Sequence, residues 1–142
     1  MKIAIGSDHA GFELKNELIT HLKGKLIEVI DQGCYSTDRV DYADFGHAVA
    51  KTVLADEVDF GILLCGSGNG INMTANKHQG IRAALCWNPE ISALARQHND
   101  ANILVIPARY VSIEEGKQIT DAFLNSTFEG GRHSDRIKKI NV

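Results

Sequence analysis

The sequence has no long apolar run and no run of like charges. Its longest apolar stretches have the length of a strand, far short of the ~20 residues that a membrane span needs. Acidic and basic residues are interspersed and the formal net charge is −3, which gives no indication of a nucleic-acid or membrane partner. The first residues, Met1–Ile5, have the pattern of a strand and not of a signal peptide. These absences predict a cytoplasmic protein.

Cysteine is scarce and shows no paired spacing. The three cysteines, Cys34, Cys65 and Cys86, are an odd number without CxxC spacing, which argues against a disulfide framework and against a cysteine-based zinc site. The sequence also lacks HxxxH, HExxH and any carboxylate-rich loop, so no metal-ligand cluster is indicated. We therefore expect free thiols and a chemistry that uses no metal and no cofactor.

Nucleotide-binding motifs are absent as well. Gly66, Gly68 and Gly70 alternate strictly and do not form GxGxxG, and the segment Gly6–Gly11 has no following Gly-Lys-Ser/Thr. These absences disfavour NAD and ATP as ligands. A nucleotide-binding or receiver-like signalling module on a similar sheet stays an alternative, although a receiver would carry an aspartate where this chain has Cys65.

A regular alternation of strand and helix patterns is present instead. The predicted strands are almost continuously apolar runs: Lys2–Ser7, Leu26–Asp31, Val58–Cys65, Gly80–Cys86 and Asn102–Pro107. Between them, apolar residues recur at three- and four-residue spacing, which is typical of amphipathic helices. Helix starts are predicted at Asn88-Pro89 and, from a capping-box pattern, at Ser112.

The alternation predicts an α/β protein with a three-layer, Rossmann-like fold, in which a five-stranded parallel sheet carries helices on both faces. At 142 residues and 44% apolar content, the chain fits a single domain over residues 1–142. After Gly130-Gly131 the alternation ends in a short, basic helical tail. In such sheets ligands bind outside the carboxyl ends of the strands, so the residues that follow each strand are candidates for a site.

The most informative of these segments is Cys65–Gly70, where an apolar strand ends at a cysteine and opens into alternating glycines before a helix. Glycines permit close approach of the backbone, and the N–H groups of a helix N-terminus favour an anion. We expect the same N–H groups to lower the pKa of the Cys65 thiol. A buried structural cysteine in a tight turn is the alternative interpretation.

Three further features carry groups for chemistry. Asp8 and His9 follow the first strand, where Asp8 could instead act only as a helix N-cap. His98 lies near the end of a predicted helix, on its apolar stripe, a position that is also typical of a packed core histidine. Arg132 and Arg136 are four residues apart, so both guanidinium groups can reach one anion, although solvated basic pairs have the same spacing.

Four short motifs carry a resemblance to a known family: Ser-Asp-His-Ala-Gly at 7–11, Cys-Gly-Ser-Gly-Asn-Gly-Ile at 65–71, Arg-Gln-His-Asn-Asp-Ala-Asn at 96–102 and Glu-Gly-Gly-Arg-His at 129–133. With these motifs in this order, the chain resembles the type B ribose-5-phosphate isomerases over essentially its whole length. That family includes galactose-6-phosphate and allose-6-phosphate isomerases. The resemblance implies an aldose–ketose isomerase of the pentose phosphate pathway, acting through ring opening and an enediolate, with a hexose 6-phosphate as the alternative substrate.

The resemblance also implies roles for individual residues. Cys65 would be the base that moves a proton between C2 and C1, and Asp8 and His98 would assist ring opening. Ser67 and the amides of the glycine loop would hold the enediolate oxygens. The substrate-binding residues that the resemblance implies are His9, Gly66, Gly68, Asn69, Gly70, Asn99, Arg109, Arg132 and Arg136. Of these, the histidine and the arginines would hold the phosphate, and Asn99 would bind sugar hydroxyls.

In the family that the chain resembles, the site is shared between two subunits. His98, Asn99 and the arginine pair would therefore face Cys65 of a second chain, which implies a homodimer with composite active sites, or two such dimers paired into a tetramer. Many relatives carry threonine at the position of Ser67, and serine keeps the hydroxyl. An inactive partner subunit is a further alternative, against which the presence of Cys65, Asp8 and His98 argues.

Overall fold

The computed structural model describes all 142 residues and has a five-stranded sheet at its centre. The strands are β1 (Lys2–Ser7), β2 (Glu28–Asp31), β3 (Phe60–Cys65), β4 (Ala83–Leu85) and β5 (Ile103–Pro107). All neighbouring strands pair in parallel, in the order β2-β1-β3-β5-β4. The predicted five-stranded parallel sheet is therefore confirmed.

Helices cover both faces of the sheet. They are α1 (Phe12–Gly24), α2 (Tyr42–Leu54), α3 (Asn69–Asn76), α4 (Pro89–Asn99), α5 (Ile113–Leu124) and α6 (Arg132–Lys138), with a short 3-10 turn (His9–Gly11) before α1. One core cluster joins the sheet to α1, α4 and α5, and a second joins it to α2 and α3, which confirms the three-layer α/β architecture. The predicted basic tail is α6, which contacts α4. None of the helices combines the length and the apolar character needed to cross a membrane.

The central strand β3 shows why its sequence is apolar throughout. Ile62 and Leu64 pack into the cluster with α1, α4 and α5, whereas Leu63 and Cys65 pack into the cluster with α2 and α3. Successive side chains of a strand point to opposite faces, so a strand covered on both sides needs apolar residues at every position. The strand thus ends with the Cys65 side chain in the α2–α3 layer.

Three predicted strands are clearly shorter in the structure: the central strand β3, which begins at Phe60 rather than Val58, and the two edge strands β2 and β4. β2 begins at Glu28 rather than Leu26, whose φ of 61° places it in a turn. β4 spans Ala83–Leu85 rather than starting at Gly80, whose φ is 91°. An edge strand has one neighbour, so its hydrogen-bonded pairing stops where that neighbour ends.

Both predicted helix starts are confirmed by side-chain caps. Asn88 Oδ1 accepts a hydrogen bond from Ile91 N at 2.9 Å, and Ser112 Oγ accepts one from Glu115 N at 3.1 Å. These bonds satisfy N–H groups that have no partner inside the helix. Since Asn88 follows β4, α4 begins at the carboxyl edge of the sheet and runs back toward the amino edge.

A buried lysine holds the segment that follows β2. The Lys15 side chain on α1 is fully buried, and its Nζ lies 2.5 Å from Asp31 Oδ1, whose side chain is 33% exposed. Asp31 Oδ1 also accepts a hydrogen bond from Gly33 N at 3.0 Å. Gly33 O in turn accepts from Ser7 N at 2.7 Å. The ion pair therefore supports the end of β1, directly before Asp8.

Replacing Asp31 with alanine is expected to lower the free energy of unfolding by about 3 kcal/mol, because it leaves the Lys15 ammonium buried without a counter-charge. Lys15→Met removes the charge and keeps an apolar stem, so it should cost less. Glu28→Ala, which breaks the more exposed Lys2–Glu28 pair, is the control and should change the value by at most about 1 kcal/mol. Urea unfolding at one protein concentration measures all three, and equal losses for Asp31→Ala and Glu28→Ala would contradict the prediction.

Candidate active site

The parallel sheet brings three of the predicted segments together at its carboxyl edge. β3 ends at Cys65, and its two neighbours are β1 and β5. After β1, Asp8 N donates a hydrogen bond to Leu64 O at 3.2 Å, and after β5, Arg109 N donates one to Gly66 O at 3.1 Å. Asp8 and Arg109 therefore lie on either side of Cys65. Their positions directly after β1 and β5 had predicted that they lie at this edge of the sheet.

The loop after Cys65 depends on glycine at two positions. Gly68 has a φ of 79°, and a Cβ there would lie 2.4 Å from Leu85 Cδ1. At Gly66 a Cβ would lie 3.0 Å from the Arg109 Nη1 atom. A side chain at Gly68 would be strained in both backbone and packing, and one at Gly66 would displace the guanidinium. The glycines thus allow the turn and let Arg109 lie against the loop backbone.

The outer part of the loop is open to solvent. Ser67 and Asn69 are exposed, and Ser67 Oγ accepts a hydrogen bond from Asn69 N at 3.3 Å. Both residues border an open cleft of ≈ 440 Å³ together with Trp87 and Tyr110. Gly70 lies in the first turn of α3 against the ring of Tyr42. The loop therefore presents a hydroxyl and a carboxamide, two and four residues after Cys65, to a cleft with aromatic walls.

All three cysteines are free, as predicted, and all are buried. Burial raises the pKa of the Cys65 thiol, and the negative charge of Asp8 raises it further. The backbone N–H groups of Ile71 and Gly68 and the positive charge of Arg109 act in the opposite direction. The pKa of Cys65 is raised overall, so the expectation that the glycine turn and the helix N-terminus would lower it is wrong. The amides do favour the thiolate, but desolvation outweighs them.

Asp8 is a helix cap and also lies beside the thiol. Its Oδ1 accepts hydrogen bonds from Ala10 N at 2.9 Å and from Gly11 N at 3.2 Å. Both capping bonds use the same oxygen, so Oδ2 is left for another partner. The carboxyl is almost completely buried, and its charge acts on Cys65. The N-cap interpretation is correct and does not remove Asp8 from the site.

His9 follows Asp8 and is held by the segment before α2. Its Nδ1 lies 3.2 Å from Val40 N, which donates the hydrogen bond. A neutral imidazole that accepts at Nδ1 carries its proton on Nε2. His9 is half-buried and therefore offers an N–H donor from a fixed ring, which suits an anionic ligand.

The remaining predicted residues form a second group at the C-terminal end of α4. His98, Asn99 and Arg136 border an open cleft of ≈ 360 Å³ together with His133 and Ile137. The His98 side chain is 38% exposed, so it is not a packed core histidine. Its ring stacks on that of His133, with centroids 4.3 Å apart and planes 13° apart. Arg136 and the exposed Arg132 lie one turn apart on α6.

Two residues of this second group had not been predicted. Glu129 Oε1 lies 3.6 Å from His98 Nε2 and 3.6 Å from His133 Nε2. Desolvation lowers the pKa of His133, and the positive charges of His98 and Arg132 lower it further. Glu129 and His133 are four residues apart, with two glycines between them. The sequence shows this spacing, but the two side chains meet His98 only because α6 packs against α4.

The two groups lie at opposite edges of the sheet. α4 starts at the carboxyl edge, and its 11 residues extend roughly 16 Å toward the amino edge. There Asn99 O accepts a hydrogen bond at 3.0 Å from the Nε atom of Arg82, directly before β4. Cys65 and His98 therefore cannot contact one small molecule within the same chain. The structure gathers the predicted residues into two separate groups, one at the carboxyl edge and one at the amino edge of the sheet.

A three-layer α/β fold with a thiol and a glycine loop at the carboxyl edge of a parallel sheet is typical of α/β proteins that bind a ligand at that edge. Comparison with known proteins identifies the family of this chain. Residues 3–140 match the family described as Ribose/Galactose Isomerase. The chain therefore belongs to the ribose/galactose isomerase family and is an isomerase, which excludes a receiver-like signalling module.

Relatives match over almost the whole chain. Ribose-5-phosphate isomerase B of Escherichia coli (strain K12) is 49% identical over 141 residues, which cover 99% of this chain and 95% of the relative. The ribose 5-phosphate isomerase structure from Thermotoga maritima is 54% identical, with a TM-score of 0.97 and coverage of 99% and 97%. The structure of ribose-5-phosphate isomerase B from Mycoplasma genitalium with bound ribulose-5-phosphate is 46% identical, with a TM-score of 0.92 and coverage of 98% and 93%.

Proposed function

We propose that this chain interconverts ribose 5-phosphate and ribulose 5-phosphate through ring opening and an enediolate intermediate, with Cys65 as the base. The observation that carries the proposal is the position of the Cys65 thiol at the start of the glycine loop, between Asp8 and Arg109. Membership of the ribose/galactose isomerase family supports the reaction class. The ribulose-5-phosphate bound to the Mycoplasma genitalium relative supports the substrate.

The reaction moves one proton between adjacent carbons. The Cys65 thiolate takes the C2 proton of the open-chain aldose, the electrons of that bond form the C1–C2 double bond, and the C1 carbonyl oxygen becomes an oxyanion. The thiol then returns the proton to C1, while a proton passes from O2 to O1 and C2 becomes the carbonyl carbon. Electrons balance within the sugar, so the step uses no oxidant or reductant.

The oxyanion forms next to backbone N–H groups that already favour negative charge. The N–H groups of Gly68 and Ile71 act on the Cys65 sulfur, and we infer that the amides of the same loop, with Ser67 Oγ, stabilise the enediolate oxygens. Each well-placed donor of this kind contributes on the order of 10²–10³ in rate. One loop thereby serves both the base and the intermediate.

Ring opening precedes proton transfer and needs a base for the anomeric hydroxyl and an acid for the ring oxygen. Asp8 offers its second carboxylate oxygen beside Cys65, and His98 offers a half-buried imidazole that borders a cleft. Asn99, next to His98, would bind sugar hydroxyls. Because these groups belong to different edges of the sheet, ring opening requires two chains.

We infer a homodimer in which each carboxyl-edge half-site faces the amino-edge half-site of the other chain. A two-fold axis that places the carboxyl-edge half-site of one chain against the amino-edge half-site of its partner also creates the reverse contact. The dimer therefore has two equal sites. Each site would combine Asp8, His9, Cys65 and the glycine loop of one chain with the His98 and arginine group of its partner. The separation of Cys65 from His98 within one chain supports this arrangement.

The phosphate would bind between cations from both half-sites. His9 offers Nε2–H, and Arg109 lies against the loop backbone on the same edge. Arg132 and Arg136 are exposed on α6 and take part in none of the ion pairs of this chain. Two guanidinium groups one helical turn apart match the geometry of a single phosphate. Anchoring the phosphate fixes C1 and C2 against the thiol.

Arg132→Ala and Arg136→Ala are each expected to raise the KM for ribose 5-phosphate by about 10- to 100-fold, the loss of one charge-assisted hydrogen-bonded contact. The effect on unphosphorylated ribose should be far smaller. Lys139→Ala removes a cation from the same tail that has no proposed role and is the matched control. Steady-state kinetics with both sugars measure the difference, and equal losses for the two sugars would contradict a phosphate site.

The proposed function itself is tested by comparing ribose 5-phosphate, allose 6-phosphate and galactose 6-phosphate as substrates of the purified chain without added metal. We expect the highest kcat/KM with ribose 5-phosphate. Faster turnover of a hexose 6-phosphate would keep the reaction class and assign the alternative substrate. No turnover of any of the three would contradict the proposal.

A further inference from the structure

His98, Glu129 and His133 place three potential metal ligands around one point. They come from the end of α4, the segment before α6 and the first turn of α6. Their ligand atoms all lie within 4.8 Å of one another. We propose that this cluster binds one divalent transition-metal ion of the zinc type, and that the bound ion inhibits the isomerase by occupying His98.

The two distances to Glu129 fit an ion better than they fit hydrogen bonds. Glu129 Oε1 lies 3.6 Å from both Nε2 atoms, which is too long for an N–H···O hydrogen bond. Two ligands of one tetrahedral zinc ion, each at about 2.1 Å, lie about 3.4 Å apart. Both His–Glu distances are therefore within a few tenths of an ångström of that separation. Two imidazoles and one carboxylate are also a ligand set that zinc uses in proteins.

The fold anchors the backbone of Glu129 and buries the side chain of His133 before any ion binds. Glu129 N donates a hydrogen bond to Gln97 O at 3.0 Å, which attaches the ligand-bearing segment to the last turn of α4. The His133 side chain is only 8% exposed, and its backbone N donates to Gly130 O at 3.2 Å. His98 stacks on this fixed ring. Because the two stacked rings point their in-plane lone pairs side by side, one ring must turn before both can bind one ion, and His98, whose side chain is 38% exposed, is the ring with room to do so.

Nearby charges set the strength of binding. Glu129 supplies one negative charge, whereas Arg136 borders the same cleft and Arg132 precedes His133. Like-charge repulsion from two guanidinium groups weakens the attraction of a divalent cation. We therefore expect a site that zinc fills reversibly and that chelators empty, rather than a permanent structural site.

The inhibitory part of the proposal rests on the proposed function. An ion bound at His98 Nε2 occupies the lone pair through which the imidazole would exchange a proton with the sugar, and it fills the half-site that faces the substrate. Zinc and ribose 5-phosphate should therefore compete. Binding of zinc alone does not depend on any role of His98 in the reaction.

The test is a titration of the full chain with zinc chloride by isothermal calorimetry in a buffer without phosphate. We expect one ion per chain, and we expect Glu129→Gln and His133→Asn each to weaken binding by at least about 10-fold. Two controls address other zinc ligands. His78→Asn breaks the exposed His47–His78 pair, whose ring nitrogens are 2.7 Å apart, and Cys65→Ala removes the thiol at the opposite edge. Both controls should bind zinc as the unchanged chain does.

Inhibition supplies the second readout. Zinc should inhibit turnover of ribose 5-phosphate by the unchanged chain, chelation with EDTA should restore it, and Glu129→Gln should need at least about 10-fold more zinc for the same fractional inhibition. No zinc binding, or equal binding by Glu129→Gln and the unchanged chain, would overturn the metal site and leave the proposed function intact. Zinc binding without inhibition would overturn the inhibitory role and argue against His98 as a participant in the reaction.

Discussion

Replacing Cys65 with alanine is expected to lower kcat/KM for ribose 5-phosphate by about 10³-fold or more, because the variant lacks the group that we propose exchanges a proton with C2 and C1. The fold should persist. Cys65 packs into the smaller core cluster, where loss of one sulfur atom costs about 1 kcal/mol. Steady-state kinetics give the loss of activity, and circular dichroism with urea unfolding shows that the variant is folded. Turnover retained by a pure, folded variant would remove Cys65 as the base.

Cys65→Ser is the matched variant. A serine hydroxyl has nearly the size of the thiol but ionises far less readily, so it should be almost as inactive as alanine. An inactive Cys65→Ser variant would show that turnover depends on the acidity of this side chain and not only on its volume. Activity close to that of the unchanged chain would mean that this position contributes only shape or a hydrogen bond.

The raised pKa of Cys65 adds a pH dependence to this prediction. Burial is the largest cause of the shift and the Asp8 charge adds to it, so the thiol form predominates at neutral pH. The thiolate is the reactive form, and its fraction grows as the pH rises toward the raised pKa. Both kcat/KM and the rate at which iodoacetamide alkylates Cys65 should therefore increase from neutral to alkaline pH. An alkylation rate that is independent of pH over that range would contradict the raised pKa.

Mixing two inactive variants, Cys65→Ala and His98→Ala, is expected to restore about a quarter of the normal activity. In a mixed dimer with composite sites, one site carries both substitutions and the other carries neither. Random pairing makes half of the dimers mixed, and half of their sites are then intact. The subunits would be unfolded together in urea and refolded, and activity would be measured per active-site equivalent. Each variant alone is expected to lose about 10²-fold or more of its activity. Recovery of about a quarter of the normal activity is therefore easily distinguished from the residual activity of either variant.

The control is a mixture of two variants from the same half-site. Cys65→Ala with Asp8→Asn should restore nothing, because each site of the mixed dimer lacks one of the two groups. Asparagine also caps helices well, so Asp8→Asn keeps the turn before α1 intact. If the Cys65–His98 mixture recovers no more than this control, the composite site is wrong and a site within one chain must be sought.

Local patterns were sufficient to predict most of the sheet. β3 and its glycine turn were visible because a strand buried on both faces is apolar at every position and the turn needs residues without a Cβ. Asn88 and Ser112 were recognisable as caps because capping is a contact between residues three positions apart. The ends of β2 and β4 were predicted too long, since the extent of an edge strand depends on where its neighbour ends.

Features that depend on contacts distant in the sequence were not predictable in the same way. The Lys15–Asp31 pair joins residues 16 positions apart, and a buried lysine has no signature in an amphipathic pattern. The net pKa of Cys65 depends on how deeply α2 and α3 cover β3, so the sign predicted from the adjacent helix was wrong. Glu129 and His133 became neighbours of His98 only through the packing of α6 on α4.

The sequence by itself determined the parallel α/β fold, the thiol at the start of the glycine loop and the short motifs that identify the family. These properties are encoded in the period of apolar residues and in turns of a few residues, which are local. The family resemblance already implied that His98 faces Cys65 of a second chain, and the tertiary structure supplied the physical reason: α4 runs antiparallel to the strands and carries His98 to the opposite edge of the sheet. Only the tertiary structure decided that burial outweighs the loop amides at the thiol, since desolvation depends on everything packed around a group rather than on its neighbours in the chain.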